Sequence, residues 1–502
     1  MLSFSLPRIN LSSPTTPLDK NATYNYLIEL DKKLRQAKES MEPYFKKYDR
    51  ADGRNIFKTV TSNFESFKLT RYQIAQNRNT PSVSNAWIKA YELIDEFKLV
   101  PEVHDLEEYK QDQWNHFDNC SFPGSFILAI YHYVYTNRDS TFQSMYNWFA
   151  SSLLSEVTQD ADHPDAALGD QYEIYKRYSK DSTDGTNHWL MEPESGLNGD
   201  ILDPEYIDHV GRMLDGQVDL YTSEFGVDVS EKKMYNEQEF VHARGDLAQV
   251  ICGFKTLRHN GHLVCKIFTF FNPFTLSLIA LMRDCFEELY ICKPASSKPD
   301  NSEIFLVGKE FNAEKGLNAV KIMSEFLEYD KSDYRDGTLI NIEKLDPKFW
   351  KRIKEAAYKI FEELQINRIT SNIVVFDKLV AKYGDPNASR DNEEKIKRAS
   401  RDEYQSRIRD ENETWFARHS VLVLHKKFRL DVNDITKQQP MKPRNNLQSN
   451  RPPYQNRYND RKPRDQEPSS FERKSYNPNN RNYSNGRAST NNTFSFSAFG
   501  SK

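Results

Sequence analysis

The chain has 502 residues, more than one typical domain holds, with 38% hydrophobic and 28% charged residues, a globular composition that carries a long polar tail. The net charge of −4 hides an asymmetry: residues 436–502 hold 13 Lys or Arg against 4 Asp or Glu, about +9, which leaves about −13 on the remainder. A membrane-spanning chain is excluded, because the longest apolar runs, FILAIYHYVY (126–135) and LSLIALM (276–282), are far below the roughly 20 residues a span needs, and any attraction for nucleic acid is expected in the tail and in local grooves.

In chain order, the opening MLSFSLPRINLSSP has no basic start followed by a long apolar run, so no signal peptide is expected. Residues 1–20 are rich in Ser, Pro and Thr and are expected to be disordered. Residues 21–83 read as a helical N-terminal region, as in YNYLIELDKKLRQAKESMEPYF. From 84 to 310 short apolar runs alternate with helical patterns. The helix SNAWIKAYELIDEF (84–97) comes first. Strands are expected at 114–120, 217–224, 262–268, 287–293 and 303–308, with helices at 124–136, 237–258 and 273–285. This alternation predicts an α/β fold, a mostly parallel sheet with helices on both faces. About ten residues join the last two strands, too few for a helical crossover, so an antiparallel pair at the sheet edge is expected. Residues 311–435 read as helical. Residues 436–502, with RPPYQNRYNDRKPR, cannot bury enough apolar surface to order themselves. The five cysteines (120, 252, 265, 285, 292) lack CxxC spacing, which points to reduced core thiols in an intracellular protein.

Five motifs stand out. In HFDNCSFPGSFILAI (116–130) a strand ends at Asp118 and a tight loop, Cys120 to Ser125 with Phe122, Pro123 and Gly124, leads into an apolar helix. Such a loop can present backbone N–H groups to an anionic ligand, or be a plain strand-turn-helix junction. It is not GxGxxG, which argues against a dinucleotide-dependent oxidoreductase. In NGDILDPEYI (198–207), Asp203 and Pro204 start a helix and Asp200 precedes it. VDLYTSEFGVDVS (218–230) delivers acidic residues to the end of a strand. GHLVCKIFTFF (261–271) places Lys266 within an apolar strand, where a lysine either snorkels to water or serves a site. CKPASSKPDNSEIFLVG (292–308) starts an apolar strand at Glu303 after a basic, Ser-rich loop, in which Lys293 and Lys298 can be phosphate contacts or a solvated surface.

In this order and spacing the five motifs resemble the FtsJ-like S-adenosylmethionine-dependent ribose 2′-O-methyltransferases, nearest the branch that methylates capped mRNA, including versions encoded by large DNA viruses. The resemblance covers about residues 84–310 and implies a Rossmann-like methyltransferase fold. It implies a catalytic tetrad of Lys89 in NAWIKAYEL, Lys266, Glu303, and a carboxylate in TSE. The family has aspartate in that last place and this chain has Glu224, with Asp219 and Asp228 as alternatives. It also implies a cofactor site at Asp118, the 120–125 loop and Asp200, no metal, and capped mRNA as partner, with other capping or transcription proteins possible.

Methyl transfer from a sulfonium to a ribose hydroxyl needs an in-line hydroxyl and help in removing its proton. A lysine with its ordinary pKa of about 10.4 is a poor base, so Lys266 acts either with a lowered pKa or as a charge that stabilises the alkoxide. Two other readings remain open: a degenerate methyltransferase fold that binds RNA or cofactor in a capping or transcription complex, and a 2′-O-methyltransferase of ribosomal or transfer RNA. The expected location is cytoplasmic or nuclear, or virion-associated if the protein is viral.

Overall fold

The computed structural model describes residues 1–8, 18–50, 53–63, 65, 67–103, 113–153, 188–191, 195–227, 235–327, 334–335 and 337–430. All lie within the compact unit Met1–Ile435. The expected disorder of 436–502 and the alternative Asp228 lie outside the described residues.

The elements run β1 (Leu2–Ser5), α1 (Leu18–Glu39), α2 (Glu42–Lys47), α3 (Ile56–Ser62), α4 (Phe67–Asn77), α5 (Asn85–Phe97), β2 (Trp114–Asn119), α6 (Ser125–Asn137), α7 (Ser140–Met145), β3 (Tyr146–Ala150), α8 (Pro204–Leu214), β4 (Val218–Ser223), α9 (Gln238–Thr256), β5 (Leu257–Ile267), α10 (Pro273–Cys285), β6 (Phe286–Lys293), β7 (Ile304–Phe311), α11 (Ala313–Leu327), α12 (Pro347–Ala357), a π-helical stretch (Tyr358–Ile366), α13 (Asn367–Tyr383) and α14 (Arg390–Arg418). One seven-stranded sheet has the order β1-β6-β7-β5-β4-β2-β3. Strands β3, β2, β4 and β5 are parallel, and β7 and β6 continue the sheet antiparallel. This is the expected α/β, Rossmann-like architecture.

Three expectations need correction. Residues 2–5 are a strand, not disordered: β1 pairs antiparallel with β6, Leu2 opposite Lys293 and Ser5 opposite Tyr290. Phe4 and Leu6 are buried there, and four residues among serines are too short a run to declare themselves before the partner strand is known. The β6–β7 pair is antiparallel as expected but is not the sheet edge, because β7 inserts between β5 and β6, and β1 closes the row. Strand β3 was not expected at all. It is five residues with an alternating buried pattern directly after the single-turn α7.

Helices cover both faces. Leu263 pairs with Gly308 and Lys266 with Phe305, so the two pairs point to opposite faces. On the first face Gly253 of α9 packs so closely on Tyr221 and Leu263 that a Cβ there would lie 2.8 Å from the Tyr221 ring. On the second, Phe126 of α6 stacks on Phe305 with ring centroids 6.3 Å apart, and Lys89 of α5 lies over the same ring. The N- and C-terminal helices share a smaller core, in which Phe57 and Val60 of α3 meet Phe376, Leu379 and Ile396 of α13 and α14. No helix among the described residues is long and apolar enough to cross a membrane.

Candidate active site

The C-terminal ends of the parallel strands, where open α/β sheets bind ligands, bring Asp118 (β2), Ser223 and Glu224 (β4) and Lys266 (β5) to one edge. Because β6 and β7 run antiparallel to each other, the end of β6 and the start of β7 place Lys293 and Glu303 at the same edge. Helix α5 passes over it. Its N-cap Ser84 accepts from Trp87 N and also donates to Ser125 Oγ at 2.8 Å, tying the start of α5 to the start of α6.

Lys89, on α5, is buried, and its Nζ lies 2.8 Å from Glu303 Oε2 and 3.3 Å from Glu224 Oε1. Burial would depress its pKa, but the two carboxylates hold it well above the ordinary lysine value. Burial would likewise raise the Glu303 carboxyl, yet Lys89, Lys293 and Lys266 together hold it well below the usual carboxylate range. Glu303 Oε1 also accepts from Ser297 Oγ at 2.8 Å. Lys266 stands one residue before the end of β5, not in its middle, and is half-buried; its Nζ donates to the backbone carbonyl of Glu224 at 2.9 Å. The structure therefore brings Lys89, Glu224, Lys266 and Glu303 together. Asp219 does not join them. It sits near the start of β4, accepting from Asn115 N at 2.7 Å and pairing with Arg258 at 3.0 Å.

The floor under Lys266 went unread in the sequence. Gln249 of α9 donates to Lys266 O at 2.8 Å and to Asp246 Oδ1 at 3.1 Å. Burial pushes the Asp246 carboxyl far up, partly offset by Lys266. His242 donates from Nδ1 to Gln238 O and accepts Val227 N at Nε2, which fixes a neutral ring and the 225–227 turn; burial and Lys266 lower its pKa. Lys293 is not a phosphate contact. It is 2% exposed and donates to Asn301 O, Asn301 Oδ1 and Glu303 O. Burial pushes it down to about 7, against the pull of Glu303. Lys298 is on the surface, paired with Glu65 at 2.8 Å. A lysine on a strand followed by Pro reads as exposed from sequence; only the inward-turned carbonyls reveal the burial.

The 120–125 loop is held by the end of β3. Ser121 N donates to Ser151 O at 2.9 Å and Phe122 N to Ser152 Oγ at 3.3 Å. Gly124 takes φ +88° as the N-cap of α6 and no side chain caps the helix, so its first N–H groups remain available to an anionic group such as a carboxylate. Asp118 lines the same small cavity as Cys120, Phe122, Pro123, Ser125 and Glu224, about 50 Å³. Both Asp118 oxygens are already engaged, by Thr222 Oγ1 at 2.6 Å and Ser121 Oγ at 2.5 Å, and burial pushes its carboxyl up to about 7. Asp118 thus shapes the loop from within. Burial raises the Cys120 thiol to about 12, far from a nucleophile. Asp200 stands in a turn that abuts this loop through Ser152: Gly199 has φ +85°, and a Cβ there would lie 2.1 Å from Ser152 O. Asp200 Oδ1 accepts from Leu202 N and its other oxygen is free among the described residues.

A protein-family model described as FtsJ-like methyltransferase matches residues 82–311. The chain is 31% identical over 259 residues to Probable methyltransferase EP424R of African swine fever virus, covering 50% of this chain and 54% of that protein. It is 25% identical over 344 residues to Uncharacterized protein L511 of Acanthamoeba polyphaga mimivirus (64% and 40% covered), and 25% identical over 320 residues to Cap-specific mRNA (nucleoside-2′-O-)-methyltransferase 2 of Danio rerio (63% and 39% covered). The chain spans about half the length, or less, of these relatives.

Proposed function

From the premise that residues 82–311 are an FtsJ-like methyltransferase domain, we propose that the protein transfers a methyl group from S-adenosylmethionine to a ribose 2′-hydroxyl of RNA, at the first nucleotides of capped mRNA. The observation that carries this reading is the Lys89–Glu303–Glu224 cluster with Lys266 beside it, two lysines and two carboxylates at the ligand-binding edge of the sheet. The relative from Danio rerio, named for cap-specific 2′-O-methylation, supports the choice of substrate.

The residues present fit the cofactor in part. The 120–125 loop and the uncapped start of α6 would hold its carboxylate, and Asp200 has an oxygen that no described residue engages and that can accept a hydrogen bond. The cofactor supplies an already activated methyl group. What remains for the chain is to hold the hydroxyl in line and manage its proton. Lys89 is too buried and too firmly charged to take a proton; it fixes the two carboxylates. Lys266, the more exposed of the two lysines, meets the ribose. As an amine it accepts the hydroxyl proton; as an ammonium it stabilises the developing alkoxide. Glu224 does the work of the family's aspartate with one more methylene, since its carboxylate reaches Lys89.

The test is methyl transfer from labelled S-adenosylmethionine to capped and uncapped RNA of one sequence. Cap-dependent labelling of a ribose 2′-oxygen is expected. Cofactor and RNA binding without labelling would sink the enzyme reading, and labelling indifferent to the cap would move the substrate to another RNA.

A further inference from the structure

We propose that Lys293 is a positioning residue of this site: it fixes the backbone that carries Glu303 and, through Glu303, the ammonium of Lys89. The catalytic consequence rests on the function proposed above; the geometric one does not.

Ten residues, 294–303, connect β6 to β7, and this connection delivers Glu303. It is gripped from inside at both ends by buried charged side chains. At the near end Glu92, one helical turn beyond Lys89 on α5 and fully buried, accepts from Ala295 N at 2.7 Å, Ser296 N at 3.0 Å and Ser296 Oγ at 2.7 Å. At the far end Lys293 donates to Asn301 O at 2.8 Å, Asn301 Oδ1 at 2.5 Å and Glu303 O at 2.7 Å. Three acceptors match the three protons of an ammonium, the form that they favour against the burial that lowers its pKa, and none is left for a ligand. Between the two grips Ser297 donates to the Glu303 carboxylate. Both the main chain and the side chain of Glu303 are thereby set, with its second oxygen on Lys89.

An apolar residue at 293 would avoid burying a charge, and buried charges are kept only where partners repay them. Here the partners are two backbone carbonyls and an amide oxygen turned inward, which an apolar side chain would leave unpaired. A lysine at this place is therefore explained by the loop it holds. Glu303 lies within electrostatic reach of Lys89, Lys293 and Lys266.

The experiment pairs crystal structures with kinetics for wild type, Lys293→Met and Lys293→Arg, using labelled S-adenosylmethionine and capped RNA. In Lys293→Met the 301–303 backbone shifts and the 2.8 Å Lys89–Glu303 contact opens. The kcat is expected to fall about 100-fold, the effect of a misplacement of about 1 Å, with KM for RNA and the cofactor Kd within about threefold of wild type because neither ligand touches Lys293. Lys293→Arg, which keeps the charge and donors, recovers part of kcat. A Lys293→Met structure that keeps the contact, or a kcat within about twofold of wild type, overturns the proposal. If wild type labels no RNA, the proposed function fails, and the crystal comparison still decides the positioning. If Lys293→Met does not fold, Asn301→Ala removes one acceptor and leaves the lysine: a folded protein with a lengthened Lys89–Glu303 contact upholds the proposal and an unchanged contact overturns it.

Discussion

Lys266 meets Glu224 through the main chain: its Nζ donates to the Glu224 carbonyl oxygen at 2.9 Å, while the Glu224 carboxylate lies 3.3 Å from Lys89. The side chain at 224 and the anchor of Lys266 are thus separable by mutation. On the function proposed above, Lys266→Met should lower methyl transfer by on the order of 10²–10⁴ in kcat, the usual contribution of a proton-handling group. Glu224→Gln keeps the carbonyl and weakens only the hold on Lys89, so a loss of about tenfold is expected, one charge-assisted hydrogen bond's worth. Single-turnover rates with labelled cofactor distinguish the two. Equal losses would mean that the carboxylate moves onto Lys266 when RNA binds.

Gly226 lies beside the same lysine. A Cβ at 226 would stand 3.2 Å from Lys266 Nζ, the far end of a flexible chain, and nothing in the backbone obstructs it. Gly226→Ala should therefore fold normally, with a melting temperature near wild type, yet displace the Lys266 ammonium by a few tenths of an ångström. A several-fold fall in kcat, about 1 kcal/mol of barrier, is expected. Full activity at unchanged stability would show that Lys266 has more latitude than the site requires.

The residues that announced themselves in the sequence were those whose chemistry contradicts their surroundings. Lys266 interrupts an apolar strand and Glu303 opens one after a basic, Ser-rich loop, whereas Lys89 and the grouping of the three came only from the resemblance to the FtsJ-like family. Lys293, Glu92 and Asp246 were not legible in that way. Their roles depend on which carbonyls and amides the fold turns inward, a matter of tertiary geometry with no local signature. The same holds for β1 and β3. Their short runs carry too little periodicity to read, and each becomes a strand only because β6 or β2 offers a free edge. Asp118 stood out in the sequence as a candidate cofactor residue, but its engagement by Ser121 and Thr222 was not legible there.

Acid stability should report on Glu303. Burial alone would raise its carboxyl, but the three nearby lysines hold it below the ordinary glutamate value. A carboxyl lowered on folding contributes stability that is present above its unfolded pKa of about 4.3 and lost as pH falls through the folded value. Urea midpoints should thus decline for wild type below about pH 4, and Glu303→Gln should lack that share of the slope. At pH 7 the same variant leaves Lys89 with one carboxylate and should be less stable by about 2 kcal/mol, less than the loss of a sole partner costs. Parallel curves for the two proteins from pH 7 to pH 3 would refute the ion pair.

The edge strand makes a prediction remote from the chemistry. Leu6, just beyond β1, is 1% exposed, its N–H donates to Leu289 O at 2.8 Å, and its carbonyl accepts from the buried Arg283 at 2.8 Å. Ser5 O accepts from Arg352 of α12 at 3.0 Å. The opening residues therefore cover the edge of β6 and supply an acceptor to a buried guanidinium. Leu6→Ala should cost about 3 kcal/mol through the cavity it leaves, read as a lower melting temperature. Deleting residues 1–6 should cost more. It uncovers the hydrogen-bonding edge of β6 and removes one of three carbonyl acceptors of Arg283, leaving Pro7 O and Phe286 O, and because β6 ends at Lys293, the proposed methyl transfer should fall along with stability. A deletion variant that melts with wild type and keeps the wild-type mass by light scattering would show that β1 is dispensable to the sheet.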